Sequence, residues 1–146
     1  MRSRWRISTW RCSGTVQPEA TQRDVLVRAE EVWFETPAEA LTLATEIIAA
    51  NGDEASAAVA LLGRLARRDV PGARVALETH TRSAFEPVRR AAQKALVGLL
   101  HLDGDLDGAL ALSEALLSGD DDDQAFGRLA QVYLHADAGR ASDAYT

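Results

Sequence analysis

The chain has 146 residues, 47% of them hydrophobic and 5% aromatic, and a net charge of −6 at pH 7. This length suits one folded domain, and the single cysteine, Cys12, excludes an intramolecular disulfide and a cysteine-based zinc site. The first 18 residues hold four arginines and no acid, so the rest of the chain sums to −10, which argues against nucleic acid as a partner of the folded part. No apolar run approaches the length of a membrane span, and we expect a cytoplasmic protein.

The basic segment at residues 1–20 lacks the continuous apolar stretch of a secretory signal. Arginines alternate there with Trp5 and Trp10, a pattern that can contact anionic lipid or RNA through charge and stacking. No helical period continues into the segment, so we predict a disordered leader, or residues upstream of the true start. Among the 16 basic residues only Lys94 is not arginine, which is typical of a GC-rich, bacterial genome.

From Thr21 onward, apolar residues recur with the 3.6-residue period of amphipathic helices. Thr36, Pro37 and Glu39 predict a capping box with proline at the first helical position, and Asn51-Gly52 predicts a left-handed helix end. The predicted helices cover residues 21–35, 37–51, 54–68, 71–83, 86–102, 105–118 and 122–136, and Gly139 precedes the start of an eighth.

Short polar turns separate these helices. Asp53 is the expected cap of the third helix, Asp69 to Pro71 open the fourth, and the acids at 120–123 favour the start of the seventh through the helix dipole. Because the predicted connections are only two to four residues long, sequential helices must be antiparallel neighbours. No segment shows the alternating pattern of a β-strand, so the predicted fold class is all-α.

A period of about 34 residues runs through the helical part of the chain. Pro37 and Pro71 lie 34 apart, and four small or β-branched residues follow at steps of 35, 34 and 35, namely Ala40, Val75, Ala109 and Ala144. Such a period is typical of stacked helical hairpins, in which each unit buries its apolar face against the next. Small residues are expected where helices approach closely, at Ala40, Gly63, Ala109 and Ala130.

One run in the helical part is Ala95-Leu-Val-Gly-Leu-Leu-His-Leu-Asp-Gly-Asp-Leu-Asp-Gly-Ala-Leu-Ala-Leu112, and a second copy lies in Leu129-Ala-Gln-Val-Tyr133 and Gly139-Arg-Ala-Ser-Asp-Ala144. With these runs as the best match, the sequence resembles tetratricopeptide repeats over residues 21–146. The resemblance implies a right-handed α-solenoid of about seven helices in antiparallel pairs, whose first helices line a concave peptide-binding groove. The last predicted helix is cut short, which suggests a fragment or self-association through the exposed C-terminal end.

Basic residues are spaced to form a strip on this otherwise acidic domain. Arg64, Arg67 and Arg68 fall on one face of the third helix at i, i+3 and i+4, and Lys94 and His101 face similarly on the fifth. One interpretation is an ordinary solvated helix face. The other is a clamp for acidic side chains or a peptide carboxylate, with which arginine forms bidentate pairs.

A second motif fits the spacing of an EF-hand calcium loop. Its candidate ligands are Asp103, Asp105, Asp107 and Glu114. The repeat register explains the same segment without metal, because Asp105 can cap the sixth helix, Leu106 can plug the hairpin and Ala109 can pack against a neighbour. We therefore favour no metal or other cofactor.

No phosphate-binding loop, nucleophile elbow or zinc-protease motif occurs, so we do not expect an enzyme. The sequence predicts a non-catalytic scaffold that binds a protein or an acidic peptide, as an adaptor segment of a larger regulatory protein. The alternative is a calcium-binding helical module built on residues 103–114.

Overall fold

A computed structural model describes residues 21–139, and all regular secondary structure in that part is helical. The predicted all-α class is confirmed. The seven helices are α1 (Gln22–Val32), α2 (Pro37–Ala49), α3 (Ala55–Arg67), α4 (Ala73–His80), α5 (Glu86–Asp103), α6 (Leu106–Leu116) and α7 (Asp121–Gly139). The predictions of a disordered leader at 1–20 and of an eighth helix cut short after Gly139 concern residues outside the described range.

Each helix packs against the helix that precedes and the helix that follows it in the chain. The odd-numbered helices also contact one another in order, α1 with α3, α3 with α5 and α5 with α7. The two ends, α1 and α7, do not form a packed pair in the described range. One side of the fold is therefore built from the odd-numbered helices, and the even-numbered helices lie between them along the chain.

Left-handed residues end several of the helices. At the end of α3, Asp69 has a φ of 58°, and the N–H of Val70 donates to the carbonyl of Leu65 at 3.1 Å. This is the hydrogen-bond pattern of a Schellman motif. Asn51 has a φ of 52°, which confirms the predicted left-handed stop, and Gly104 has a φ of 85° after α5. The prediction that Asp69 opens the fourth helix is wrong, because this residue closes the third.

Helix boundaries differ from the prediction where local capping overrides the apolar pattern. The helix α4 begins after Gly72, whose φ of 86° is left-handed, and so it is shorter than the predicted 71–83. The N-cap of α3 is Glu54 and not Asp53. Thr36 is the N-cap of α2 but accepts no cap hydrogen bond, since its hydroxyl donates to the carbonyl of Val32 at 3.2 Å. The capping box predicted there does not form.

The main core lies around α3. Eight of its 13 residues are buried, and they are alanines, leucines, one valine and one glycine: Ala55, Ala58, Val59, Leu61, Leu62, Gly63, Leu65 and Ala66. A Cβ added at Gly63 would lie 3.0 Å from the Cβ of Ala95. This glycine therefore lets α3 and α5 approach closely, as the sequence suggested. Because burial of apolar surface stabilises the folded state, α3 makes a large contribution to the stability of the domain.

A smaller cluster joins α5, α6 and α7 through Val97, Ala109, Leu116 and Leu134. Ala109 is fully buried there, as the repeat register predicts. Leu106 packs against the same cluster and is partly buried. At the start of α6, the side chain of Asp105 accepts a hydrogen bond from the N–H of Gly108 at 3.0 Å, so the predicted cap is confirmed. None of the helices described here combines the length and apolar character needed to cross a bilayer.

Candidate functional site

A groove of about 430 Å³ lies where α3, α5 and α7 come together. Its lining consists of Ala60, Gly63, Arg64 and Arg67 from α3, Ala91, Lys94 and Ala95 from α5, and Phe126 from α7. On α5 the small residues Ala91 and Ala95 are four apart, which places them on one face of the helix. Their short side chains leave room above α5, while the longer basic side chains form the walls.

Three of the predicted basic residues, Arg64, Arg67 and Lys94, line this groove together. Arg68 lies outside it. The guanidinium of Arg68 sits 4.1 Å from the ring centroid of Phe34 and donates to the Phe34 carbonyl at 2.8 Å. Arg68 therefore holds the end of α1 and is not part of the groove wall, although the spacing alone put it on the same face.

Arg64 divides its contacts between the groove and α1. Its guanidinium forms an ion pair with Glu30 at 3.4 Å and lies 5.3 Å from the ring centroid of Trp33. Both charged side chains of the pair are at least 40% exposed. A pair this exposed stabilises the fold by about 1 kcal/mol or less, so another carboxylate can replace Glu30 at little cost.

Lys94 is held more firmly. Its ammonium lies 2.6 Å from a carboxylate oxygen of Asp123, whose side chain is only 7% exposed. Burial alone would raise the pKa of Asp123, but hydrogen bonds from Lys94 and from the Asp120 backbone, with the charges of Lys94 and Arg90, lower it overall. Asp123 also forms a reciprocal cap with Asp120, in which each side chain accepts the other's N–H. This pair fastens α5 to the start of α7.

Arg67 is the basic residue of the groove that has no carboxylate partner in residues 21–139. It is exposed, and its Nη2 lies 3.0 Å from the position that a Cβ on Gly98 would occupy. The guanidinium of Arg67 therefore lies over α5 at Gly98, which has no side chain. An uncompensated guanidinium above a glycine can reach an incoming carboxylate with both of its terminal nitrogens.

A second groove of about 250 Å³ continues along α5 and α7. It is lined by Val97, Gly98 and His101 of α5 and by Phe126, Leu129, Ala130, Tyr133 and Leu134 of α7. His101, the fifth predicted residue, lies here, and its Nε2 is in hydrogen-bond contact with the carboxylate of Asp137. The basic strip predicted from sequence is therefore spread over two adjoining grooves, and Phe126 belongs to both.

The sequence interpretation missed the contribution of α7. Phe126, Leu129 and Tyr133 are exposed large apolar residues at i, i+3 and i+7, and we call this set the apolar strip of α7. The signal was present in the sequence, because α7 carries apolar residues on more of its circumference than one buried face requires. The acids that pair with the basic residues could not be found by spacing, since they belong to other helices.

Arg90 was also missed. It lies beside the groove in a pocket of about 360 Å³ and donates to the carbonyl of Ala115 at 2.9 Å and to the hydroxyl of Ser118 at 3.3 Å. A cation at the C-terminal end of a helix is favoured by the helix dipole. Arg90 therefore joins α5 to the end of α6, and we assign it a structural role.

The four candidate calcium ligands do not converge. Asp103 forms an ion pair with Arg74 at 2.5 Å, and Asp105 caps α6. Asp107 and Glu114 are exposed within α6, which starts at Leu106 and so leaves no long loop to wrap an ion. No cluster of three or more metal-binding side chains occurs in the described part of the chain. The geometry of these carboxylates does not fit an EF-hand site.

Comparison of the chain with protein-family models, with curated proteins and with solved structures gives no match.

Proposed function

We propose that this protein is a non-catalytic scaffold that binds an acidic peptide segment in the groove between α3, α5 and α7. The observation that carries the proposal is the position of Arg67, an exposed cation without a carboxylate partner in the described range, beside Arg64 and Lys94 in one groove. The rest of the chain after residue 18 has a net charge of −10, so a cluster of accessible cations is a local exception. Such a cluster attracts negative ligands.

We propose further that the helices stack as an α-solenoid of antiparallel pairs. Two contacts at the C-terminal ends of α1 and α3 support this arrangement, because Glu30 meets Arg64 and Phe34 meets Arg68, each pair one period of 34 residues apart in sequence. Residues at equivalent places in consecutive units are expected to touch when the units stack. The contacts between successive odd-numbered helices also support stacking of the helix pairs.

The three cations contribute differently to ligand binding. Lys94 is committed to Asp123 and supplies positive potential more than a free contact. Arg64 can exchange Glu30 for a ligand carboxylate, since that pair is exposed. Arg67 can bind a carboxylate without breaking an ion pair, so we expect it to contribute most to affinity.

The test uses a fluorescent synthetic peptide of alternating glutamate and serine as the probe, and fluorescence anisotropy as the measurement. We expect the whole chain to bind it, with an affinity that falls as salt is added. Arg67→Glu should weaken binding strongly, because it reverses the charge that the ligand meets first. The matched control is Arg82→Glu, which changes an exposed arginine outside the groove.

Circular dichroism separates loss of binding from loss of fold. Arg67 is exposed and its charge is not used inside the domain, so Arg67→Glu should keep the helical content of the wild type. Equal loss of binding in Arg67→Glu and Arg82→Glu would show that only the net charge matters. That result, or no binding by the wild type, would contradict the proposed site.

A further inference from the structure

We infer that Arg67 and the apolar strip of α7 form one composite site for a short peptide that carries a large apolar side chain close to a carboxylate. This inference rests on the proposed function and names the class of ligand: the carboxylate binds Arg67, and the apolar side chain binds Phe126, Leu129 and Tyr133. An amphipathic acidic segment, and not a purely acidic one, is then the preferred occupant.

The apolar strip offers surface that folding leaves in contact with water. Phe126 is 37% exposed, Leu129 58% and Tyr133 61%, although all three lie on a helix that is anchored by its other side. Single exposed apolar residues are ordinary, but three on one helix face beside a groove form a contiguous patch. Such a patch gains free energy when an apolar group covers it.

The two halves of the site are continuous. Phe126 lines both the groove that contains Arg67 and the groove that contains Leu129 and Tyr133. Gly98 lines the second groove, and the guanidinium of Arg67 lies directly over it. A ligand side chain seated on the strip therefore has the free guanidinium at its edge. This adjacency favours a ligand in which the apolar and the acidic group are neighbours in sequence.

The size of the strip favours a short segment over a second copy of the chain. Aromatic and large aliphatic side chains expose roughly 150 to 250 Å² each when free, so the exposed fractions amount to about 300 Å². A stable protein–protein interface buries about 800 Å² on each partner. Arg67 supplies a positive charge at one edge of the strip, and this charge favours an acidic ligand.

The experiment compares two peptides of equal length on the whole chain by fluorescence anisotropy, one alternating glutamate with leucine and the other alternating glutamate with serine. We expect the glutamate–leucine peptide to bind at least tenfold more tightly. Leu129→Ser should weaken that peptide by about 30-fold, the loss found when an anchoring side chain is truncated. The same variant should leave the glutamate–serine peptide unchanged, whereas Arg67→Glu should weaken both.

The matched control is Val75→Ser, which removes a similarly exposed apolar residue from α4, outside both grooves. Tyr133→Ser provides a second variant of the strip in case Leu129→Ser disturbs α7. If both peptides bind equally and Arg67→Glu weakens both, the composite site is wrong and the proposed function stands. If neither peptide binds, the composite site and the proposed function are both wrong.

Sedimentation velocity decides between this ligand and self-association. We expect the wild type and Leu129→Ser to sediment alike as monomers without peptide. A wild-type dimer that dissociates in Leu129→Ser would show that the strip is an interface between copies of this chain, and that result would overturn the inference. A lysine–leucine peptide that binds as tightly as the glutamate–leucine peptide would also overturn it, because Arg67 would then select nothing.

Discussion

The helices α3 and α7 both carry large apolar residues, but these residues stand in opposite surroundings. Eight of the 13 residues of α3 are buried, whereas α7 has 19 residues and only four are buried: Asp123, Gly127, Leu134 and Gly139. The reason lies in their neighbours, since α3 packs against four helices, α1, α2, α4 and α5, while α7 packs against only α5 and α6 in the described range. An apolar helix face therefore becomes core or stays exposed according to whether a helix covers it.

The largest loss of folding stability is expected where the buried side of α7 meets α6. Ala109→Asp places a carboxylate at a fully buried contact, in the cluster that also holds Leu134 of α7. Burial of an unpaired charge costs several kcal/mol, so we expect the domain to lose its cooperative thermal unfolding. Ala111→Asp is the control, because Ala111 is exposed on the same helix. Similar melting of both variants would contradict the register of α6.

The comparison of α3 with α7 is tested directly by two identical truncations. Leu62→Ala in α3 removes a fully buried side chain and should lower the free energy of unfolding by about 2 to 5 kcal/mol. Leu129→Ala in α7 removes a side chain that is 58% exposed and should change it by less than about 1 kcal/mol. Urea unfolding measures both. A large loss for Leu129→Ala would show that the strip is already covered in the free protein.

A smaller, pH-dependent effect is expected at the start of α7. The folded-state pKa of Asp123 is lowered from 3.8, so its ionised form stabilises the fold above that pH and loses this contribution as the pH falls through the lowered value. Asp123→Asn keeps an acceptor for the cap but removes the charge facing Lys94. We expect it to cost about 1 to 2 kcal/mol at neutral pH.

Stability curves against pH isolate that contribution. The difference between the wild type and Asp123→Asn should shrink as the pH falls below about 3.8, because the wild type then loses the same charge. Asp122→Asn serves as the control, since Asp122 is an exposed acid in the same turn. A difference that stays constant down to low pH would show that Asp123 acts through packing and not through its charge.

The smallest effect is expected at the turn between α5 and α6. Millimolar calcium should leave the melting temperature unchanged, because Asp103 is paired with Arg74 and Asp105 is occupied by the cap of α6. Specific binding would raise the melting temperature by mass action. A rise in calcium that disappears in Asp103→Ala would restore the calcium-binding alternative.

The sequence allowed the fold class and the approximate positions of the helices to be predicted, because the 3.6-residue period and the turn residues are local signals. Helix ends were less predictable: Asp69 can equally open a helix or close one in the left-handed conformation, and only the surrounding hydrogen bonds decide between these. The spacing of Arg64, Arg67 and Arg68 placed all three on the third helix, and the structure has Arg64 and Arg67 in α3 with Arg68 as its C-cap. The spacing could not show that Arg68 turns towards Phe34.

The candidate site could be predicted only in part, for a related physical reason. The basic residues were identifiable because their charge is unusual in an acidic chain. Their partners Glu30, Asp123 and Asp137 come from other helices, so the spacing of the basic residues along α3 and α5 does not identify them. The apolar strip of α7 was not predicted, because in the sequence its residues are indistinguishable from core residues. Only the packing shows that no described helix covers them.

Peptide-induced changes in backbone amide chemical shifts test most directly whether an acidic peptide binds along α5 and α7. Titration with the glutamate–leucine peptide should shift the amide signals along the groove face of α5, at Ala91, Ala95 and Gly98, and those of the adjoining strip of α7. Signals from α4, including that of Val75, should stay in place. Shifts confined to the even-numbered helices would contradict the proposed peptide site, because the binding surface would then lie outside the groove.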